Sequence, residues 1–142
     1  MKKYIIICMC LVIGNLSAQQ WETNVTKAKE IAFKEHKKTL LVFQGSDWCA
    51  PCIKLDREVW STSVFKKYAE DHFILLKADF PKRKKNRLSK EQQDHNNQLA
   101  EEYNKKGYFP YVVVLDENGK LLGTTSYKKM TARAYIQLLE SF

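Results

Sequence analysis

The sequence lacks any uninterrupted apolar run of about 20 residues, the length that a helix needs to cross a bilayer. Its longest apolar run covers residues 4–13, follows Lys2 and Lys3, and precedes small residues that end at Ser17 and Ala18. This order of basic, apolar and small residues is typical of a secretory signal peptide. A permanent N-terminal anchor is the alternative. We expect a signal peptide at residues 1–18 and a periplasmic or secreted protein that begins at residue 19.

Cysteine is scarce, with four residues in the whole chain. Cys8 and Cys10 lie inside the apolar run rather than behind small residues at a cleavage site, which argues against a lipoprotein. Cleavage would leave Cys49 and Cys52, and a pair this close closes too short a loop to constrain the unfolded chain strongly. A zinc site normally needs four ligands, whereas the chain has no second cysteine pair and its three histidines are scattered. We expect neither a structural disulfide nor a metal site.

Acidic residues are fewer than basic ones, 16 against 24, and the formal net charge is +8. Much of this excess lies in PKRKKNR at residues 81–87, within a segment that we name the basic loop (residues 80–88). A basic chain can bind nucleic acid or an anionic membrane. However, the sequence has no zinc finger, RNA-binding aromatic signature or basic DNA-reading helix. We expect a solvated loop and no nucleic-acid partner, with docking to an acidic partner surface as a hypothesis.

Four segments have helical patterns. Apolar residues recur at helical spacing over residues 24–37, where Asn24 can cap the helix. A second helix is predicted from the remaining cysteine pair to residue 72, with a break near residues 61–63. Ser89 begins a capping-box pattern for a helix to about residue 106, with Gly107 as its C-cap. Thr131 can cap a last amphipathic helix.

Four segments are predicted strands, and residues 19–23 are predicted to be an irregular lead-in. Short apolar runs at residues 39–45 and 73–79 indicate buried strands. Strands at residues 111–116 and 120–127 flank a turn and predict a hairpin. The order αβαβαββα predicts one α/β domain at residues 19–142, with a central mixed sheet covered by helices on both faces.

The stretch GSDWCAPCIK (residues 45–54) places the cysteine pair where a predicted strand passes into a predicted helix. A thiolate rather than a thiol attacks a disulfide, so one cysteine needs a lowered pKa. Cys49 would lie at the helix N-terminus, where unpaired N–H groups and the helix dipole favour negative charge. Cys52 follows one turn later, and Ala50 and Pro51 restrict the spacing between the two sulfurs. We predict Cys49 as the nucleophile and Cys52 as the resolving thiol.

A strand, then W-C-x-P-C at a helix start, and later Pro110 before a strand resemble the thioredoxin superfamily, in particular its small exported bacterial members. The resemblance extends over about residues 25–142 and implies a thioredoxin fold that exchanges disulfides with protein disulfide or dithiol substrates. It also implies that Pro110 is cis and faces the disulfide, and that Phe109 binds the substrate backbone. Trp48 is predicted to contact substrate in an apolar rim, together with Tyr108 and Tyr111. We expect a monomer with no metal and no organic cofactor.

Two features depart from the family pattern. Members commonly read Gly-X-Pro, whereas this chain has one more residue between Gly107 and Pro110. Phe43 stands where such reductases usually carry a buried Asp that helps to deprotonate the resolving thiol. Asp47 and Asp56 are the nearest carboxylates in sequence, and neither is assigned to that role. We hypothesise that the resolving step is slower than in a thioredoxin.

The direction of electron flow is predicted from the two residues between the cysteines. Cys-Ala-Pro-Cys is closer to the sequence typical of reductants, Cys-Gly-Pro-Cys, than to that of oxidants, Cys-Pro-His-Cys. A reductant outside the cytoplasm needs an electron source, for which we expect a membrane-embedded partner. The alternative function is a redox-inert thioredoxin-like binding or chaperone module, because a fold does not determine function.

Overall fold

The computed structural model describes residues 18–142, so the predicted signal peptide lies outside the described residues except for Ala18. The strands are β1 (Trp21–Glu22), β2 (Lys38–Gln44), β3 (Phe73–Asp79), β4 (Tyr111–Leu115) and β5 (Leu121–Thr125). The helices are α1 (Val25–Glu35), α2 (Ala50–Leu55), α3 (Ser63–His72), α4 (Lys90–Tyr103) and α5 (Ala132–Glu140). A π-helical turn (Asp56–Trp60) continues α2, and a 3₁₀ turn (Lys84–Asn86) lies in the basic loop.

The strands form one mixed five-stranded sheet in the order β1-β3-β2-β4-β5. β1, β3 and β2 are parallel, whereas β4 and β5 are antiparallel to their neighbours. Gln44 pairs with Asp79 at the ends of β2 and β3, and Phe43 pairs with Tyr111 at the start of β4. The segments that follow β2 and β3 and the segment that precedes β4 therefore meet at the same edge of the sheet.

Apolar clusters cover both faces of the sheet. Leu40 and Val42 of β2 belong to one cluster, and Leu41 and Phe43 belong to the other, because successive strand residues point to opposite faces. The first cluster includes residues of α2, α3 and α5, and the second includes residues of α1 and α4. The predicted fold class, a mixed sheet with helices on both faces, is confirmed.

The predicted helix starts are confirmed at Asn24, Ser89 and Thr131, each of which accepts a backbone hydrogen bond in its own first helical turn. The break predicted near residues 61–63 is also present, because α3 begins at Ser63 with Thr62 as its N-cap. Among residues 18–142, no helix combines the length and the apolar character needed to span a bilayer.

Two local predictions were wrong. The lead-in contains β1, in which Trp21 and Glu22 pair with Leu75 and Leu76 and the Trp21 ring contacts the buried Trp60 at a centroid distance of 6.1 Å. The helix predicted to run from Ser89 to about residue 106 is α4, which ends at Tyr103 because Asn104 leaves the helical conformation and binds the backbone of the following turn. Gly107 has a φ of +65° and lies within that turn rather than at the helix C-cap.

Candidate active site

Cys49 and Cys52 form a disulfide at the start of α2. Cys49 is the N-cap of this helix, and its Sγ accepts a hydrogen bond from the backbone N–H of Cys52 at 3.3 Å. Each cysteine is only 4% exposed. In the reduced protein, the N–H donor and the helix N-terminus favour the thiolate form of Cys49 over its thiol form. The geometry matches the predicted strand-to-helix placement of the pair.

Ala50 and Pro51 form the first turn of α2 and place the two cysteines one turn apart, with their Cα atoms 5.2 Å from each other. Proline has no N–H to donate, and the N–H groups of a first helical turn have no partner within the helix in any case. Pro51, the second residue of α2, therefore costs no helical hydrogen bond.

Trp48 is held in place by the backbone around it. Its Nε1 donates to the carbonyl oxygen of Phe80 at 2.7 Å, and the side chain is 38% exposed. Gly45 lies beneath the indole, so close that a Cβ at this position would stand 2.2 Å from the ring. Only glycine allows this contact, which fixes the indole immediately before the first cysteine.

Aromatic side chains from three segments meet beside the disulfide-bearing turn. The Phe109 ring lies 5.5 Å from the Trp48 ring and 5.4 Å from the Phe80 ring, in edge-to-face contacts that aromatic pairs favour. The Tyr108 ring lies 6.1 Å from that of Tyr111 and is more than half exposed. The structure thus brings Trp48 and Phe109 together as the predicted rim requires, and adds Phe80, which sequence reasoning missed.

Asn104 holds the turn that leads to Pro110. Its Nδ2 donates to the carbonyl oxygen of Tyr108 at 2.9 Å, and its Oδ1 accepts from the Tyr108 N–H at 3.0 Å. The Asn104 side chain is buried, and the Phe109–Pro110 peptide bond that follows is cis. The Pro110 carbonyl oxygen accepts from the Ser126 hydroxyl at 2.7 Å. Sequence reasoning missed Asn104, whose only signal was a polar residue close to a predicted helix end.

Asp47 holds the basic loop. One carboxylate oxygen accepts from the Lys82 N–H at 2.9 Å, and the other accepts from the Arg83 N–H at 3.0 Å and the Asn86 side-chain amide at 2.9 Å. These donors, the Lys82 N–H above all, lower the pKa of Asp47 below its ordinary value. The neighbouring Ser46 donates both its N–H and its hydroxyl to Asp79, so the whole turn after β2 is bound to the segment after β3.

The carboxylates nearest to the cysteines in sequence are engaged elsewhere. Asp47 binds the backbone of the basic loop, and Asp56 accepts a hydrogen bond from the Ser61 hydroxyl at 3.1 Å. Phe43 is fully buried and pairs with Ala78 and Tyr111. The position where related reductases carry a buried Asp is therefore occupied by an apolar core side chain.

Each of the three histidines contacts a different residue, and none of these contacts is with a cysteine or with another histidine. His36 contacts Glu117, His72 stacks on Tyr68, and His95 accepts a hydrogen bond from the Val25 N–H. In the part of the chain that the structure describes, no group of three or more His, Cys, Asp or Glu side chains is arranged to hold a metal ion.

A cavity of about 700 Å³ lies beside the start of β3, at the end of the strand opposite to the basic loop, and is bordered by β1, α1 and α3. The residues described around it include Glu22, Lys27, Glu35 and Lys66, and they do not include the cysteines or the aromatic rim. The residues between the two cysteines, Ala50 and Pro51, are exposed, so another protein chain can approach the buried disulfide at this turn.

Comparison with known proteins places the chain among thioredoxin-like proteins. Residues 20–117 match the family model described as Thioredoxin-like. The chain is 35% identical over 122 residues to the disulfide bond reductase DsbH of Chlamydia pneumoniae, covering 86% of this chain and 71% of that one.

Solved structures agree with this placement. The structure of DsbH oxidoreductase superposes with a TM-score of 0.80 at 34% identity, covering 88% of this chain and 84% of that chain. The disulphide isomerase of Xylella fastidiosa Temecula1 superposes with a TM-score of 0.62 at 26% identity, covering 82% and 86% of the two chains. Family model, sequence identity and fold agree, and the chain belongs to the thioredoxin-like family.

Proposed function

We propose that this protein is a thiol–disulfide oxidoreductase that reduces disulfides in protein substrates through Cys49 and Cys52. The observation that carries the proposal is the Cys49–Cys52 disulfide at a helix N-terminus, with the backbone N–H of Cys52 directed at the Cys49 sulfur. A donor in this position stabilises a thiolate, the form of cysteine that attacks disulfides. The homology to a disulfide bond reductase supports the same chemistry.

The reaction proceeds in two exchanges. The Cys49 thiolate attacks one sulfur of the substrate disulfide, forms a mixed disulfide and releases the other substrate sulfur as a thiolate. Cys52 then loses its proton and attacks the Cys49 sulfur, which releases the second substrate thiolate. The protein is oxidised by two electrons and the substrate is reduced by two. The protons of the two protein thiols are balanced by those that the substrate thiolates take up.

The aromatic rim supplies the proposed substrate contacts. Trp48 and Phe109 present edge-to-face rings beside the turn that carries Cys49, and Pro110 follows Phe109 at the start of β4. An extended substrate segment can lie along this surface, contacting the rings while the Phe109 backbone supplies hydrogen bonds. Ala50 and Pro51 place the two cysteines one helical turn apart, so that their sulfurs can bond.

Reduction is the proposed direction. The relative of Chlamydia pneumoniae is a disulfide bond reductase, and the Cys-Ala-Pro-Cys sequence is closer to that of reductants. Each turnover oxidises the pair, so a further protein must return two electrons to it. We propose a membrane-embedded partner for that step.

The proposed site of action is outside the cytoplasm, with a mature monomeric chain of residues 19–142. The basic, apolar and small residues at positions 1–18 support this location. Expression in a bacterium, followed by mass measurement of the exported protein, tests it. A mature protein that begins at Gln19 is the expected result, and retention of residues 1–18 contradicts it.

The first experiment is to measure the reduction potential of the pair by equilibration against a thiol buffer with trapping of free thiols. A value of about −270 mV supports a reductant, whereas one of about −120 mV indicates an oxidant that installs disulfides. Cys49→Ser should abolish disulfide exchange. A pair that never cycles, together with a Cys49→Ser variant that still binds the partners of the natural protein, would favour the binding or chaperone module.

We propose that Cys52 resolves the mixed disulfide slowly, because Phe43 is apolar and cannot accept its proton. We expect the mixed disulfide to persist longer than in a thioredoxin reference, and Phe43→Asp to shorten its lifetime at least about tenfold, since a positioned acid–base group contributes that much or more. Quenched-flow trapping measures the intermediate. Phe43→Leu is the control for lost packing, and circular dichroism must show that both variants fold. A wild-type lifetime equal to that of the reference, with no gain in Phe43→Asp, would end the proposal.

A further inference from the structure

We infer that the basic loop is a docking surface for acidic segments of the protein substrates, placed beside the disulfide by Asp47. This inference rests on the proposed function, because it names the chemistry of the substrate that the redox site receives. It concerns charge recognition outside the aromatic rim and the cysteine pair.

The basic loop is a concentrated and accessible source of positive charge. It contains five cationic side chains and no acidic one, and all five are exposed: Lys82, Arg83, Lys84, Lys85 and Arg87. Ion pairs within residues 18–142 involve other lysines and arginines, and none uses a cation of this loop. These charges are therefore available to a partner.

The loop has a defined conformation. The carboxylate of Asp47 binds the backbone N–H groups of Lys82 and Arg83 and the amide of Asn86, so it holds the chain by its backbone rather than by its cationic groups. Within the loop, the N–H groups of Asn86 and Arg87 donate to the carbonyls of Arg83 and Lys84. A surface that is ordered before binding loses less conformational entropy when a partner docks.

The loop also adjoins the redox site directly. The Phe80 carbonyl accepts the indole N–H of Trp48, and the Lys82 ammonium lies 3.9 Å from the centre of the Trp48 ring. Trp48 precedes Cys49, so a substrate that brings its disulfide to Cys49 passes along the cationic side chains. Complementary charge at such a position mainly accelerates encounter and selects partners.

An acidic protein segment fits this placement better than a lipid surface does. A membrane that covered the loop would also cover Trp48 and restrict access to the disulfide, whereas a protein substrate must reach that same surface to react. The cysteine pair and the basic loop would thus bind the same protein substrate. The cysteines would react with its disulfide, and the loop would bind the acidic residues beside that disulfide.

The test compares two synthetic peptides with the same intramolecular disulfide, one flanked by four glutamates and the other by four glutamines. The reduced protein should reduce the glutamate peptide about tenfold faster at low ionic strength, since steering by charge raises association rates by that factor or more. The preference should shrink as salt approaches about 1 M, where the screening length is near 3 Å.

Two variants with the same net charge locate the effect. Changing Lys82, Arg83, Lys84 and Lys85 to Gln should bring the ratio of the two rates close to one. Changing four exposed lysines elsewhere to Gln should leave the preference in place; they are Lys34, Lys66, Lys67 and Lys120. Equal losses in both variants would overturn the inference, because net charge rather than the loop would then be responsible.

Asp47→Ala keeps every cation but releases the loop. We expect it to lower the preference for the glutamate peptide, while circular dichroism confirms that the protein is folded. An undiminished preference contradicts the role of Asp47. Equal wild-type rates for the two peptides overturn the docking surface, and so does loop-dependent sedimentation with phosphatidylglycerol vesicles in the absence of any peptide preference.

A cysteine-free glutamate peptide separates this inference from the proposed function. Fluorescence anisotropy should detect its binding to the oxidised protein and the loss of that binding in the four-Gln loop variant. Binding without reduction of either disulfide peptide would support the docking surface and refute the oxidoreductase. Reduction of both peptides at equal rates, without binding, would refute the docking surface alone.

Discussion

Two segments border the disulfide, and each is held by one side chain that binds backbone groups. The basic loop is held by Asp47, a partly exposed carboxylate that accepts from two N–H groups and an amide. The turn before Pro110 is held by Asn104, a buried neutral amide that both donates to and accepts from Tyr108.

The hydrogen bonds made by Asn104 and those made by Asp47 respond differently to pH and salt. A buried neutral amide keeps its hydrogen bonds at any ordinary pH, and its loss removes the partners of the Tyr108 N–H and carbonyl groups. An exposed carboxylate depends on its charge, so acid and salt weaken it. We infer that the turn before Pro110 keeps one conformation over a wide range of pH and salt. The conformation of the basic loop, in contrast, responds to both.

The largest expected effect on stability comes from the buried Asn104. Asn104→Ala removes both hydrogen bonds to Tyr108 and should lower the free energy of unfolding by about 3 kcal/mol, since each unsatisfied buried group costs about 1–3 kcal/mol. Urea unfolding measures the change. Asn97→Ala, at an exposed position of α4, the helix that Asn104 follows, should change it by less than about 0.5 kcal/mol. Similar losses in the two variants would contradict the importance of the Asn104 contacts.

The second effect concerns one glycine on each side of the site. Gly45→Ala places a methyl group against the indole of Trp48, which must move and give up its bond to Phe80. We expect a loss of about 2 kcal/mol, as for other overpacked sites, and a changed fluorescence spectrum for Trp48. Urea unfolding and fluorescence, with Trp48→Phe to assign the signal, measure both.

Gly107→Ala is the matched control on the Asn104 side. Gly107 has open space around it but a φ of +65°, so the cost should be about 1 kcal/mol of backbone strain without any change in Trp48 fluorescence. A Trp48 signal that changes in Gly107→Ala and not in Gly45→Ala would contradict the described packing.

The smallest effect is a pH dependence confined to the basic loop. The Lys82 N–H and its neighbouring donors lower the pKa of Asp47 from its ordinary 3.8. The stabilisation of the loop by Asp47 is therefore fully present above pH 3.8, the ordinary pKa, and is lost as the pH falls through the lower pKa of Asp47 in the folded protein. Hydrogen exchange followed by NMR, corrected for intrinsic rates, should show constant protection of the Lys82 and Arg83 amides above about pH 5 and a decrease below about pH 4.

The controls for this pH effect lie in the same spectra. The Tyr108 amide, whose partner is the neutral Asn104, should keep its protection over the same range, and Asp47→Asn should remove the pH dependence of the loop amides. A decrease that persists in Asp47→Asn would show that another group holds the loop.

Much of the fold could be predicted because its elements carry local signals. The apolar run at residues 73–79 coincides with β3, and Ser89 caps α4 as its sequence pattern indicates. β1 was missed because two residues carry no periodicity, and its contacts, the pairing with β3 and the packing of Trp21 against Trp60, join segments that are distant in the sequence. The end of α4 was misplaced because the prediction used Gly107 as the C-cap and did not consider Asn104, which ends the helix.

The cysteine pair and its place at a strand-to-helix junction follow from the sequence, because a buried strand, a turn and a helix start each depend on residues close together in the chain. The surroundings of the pair do not. Asp47 reaches Lys82, and Trp48 reaches Phe80, across more than 30 positions, since β2 and β3 are parallel neighbours that end at the same edge. Strand order and register bring those groups together, and no local pattern specifies either one.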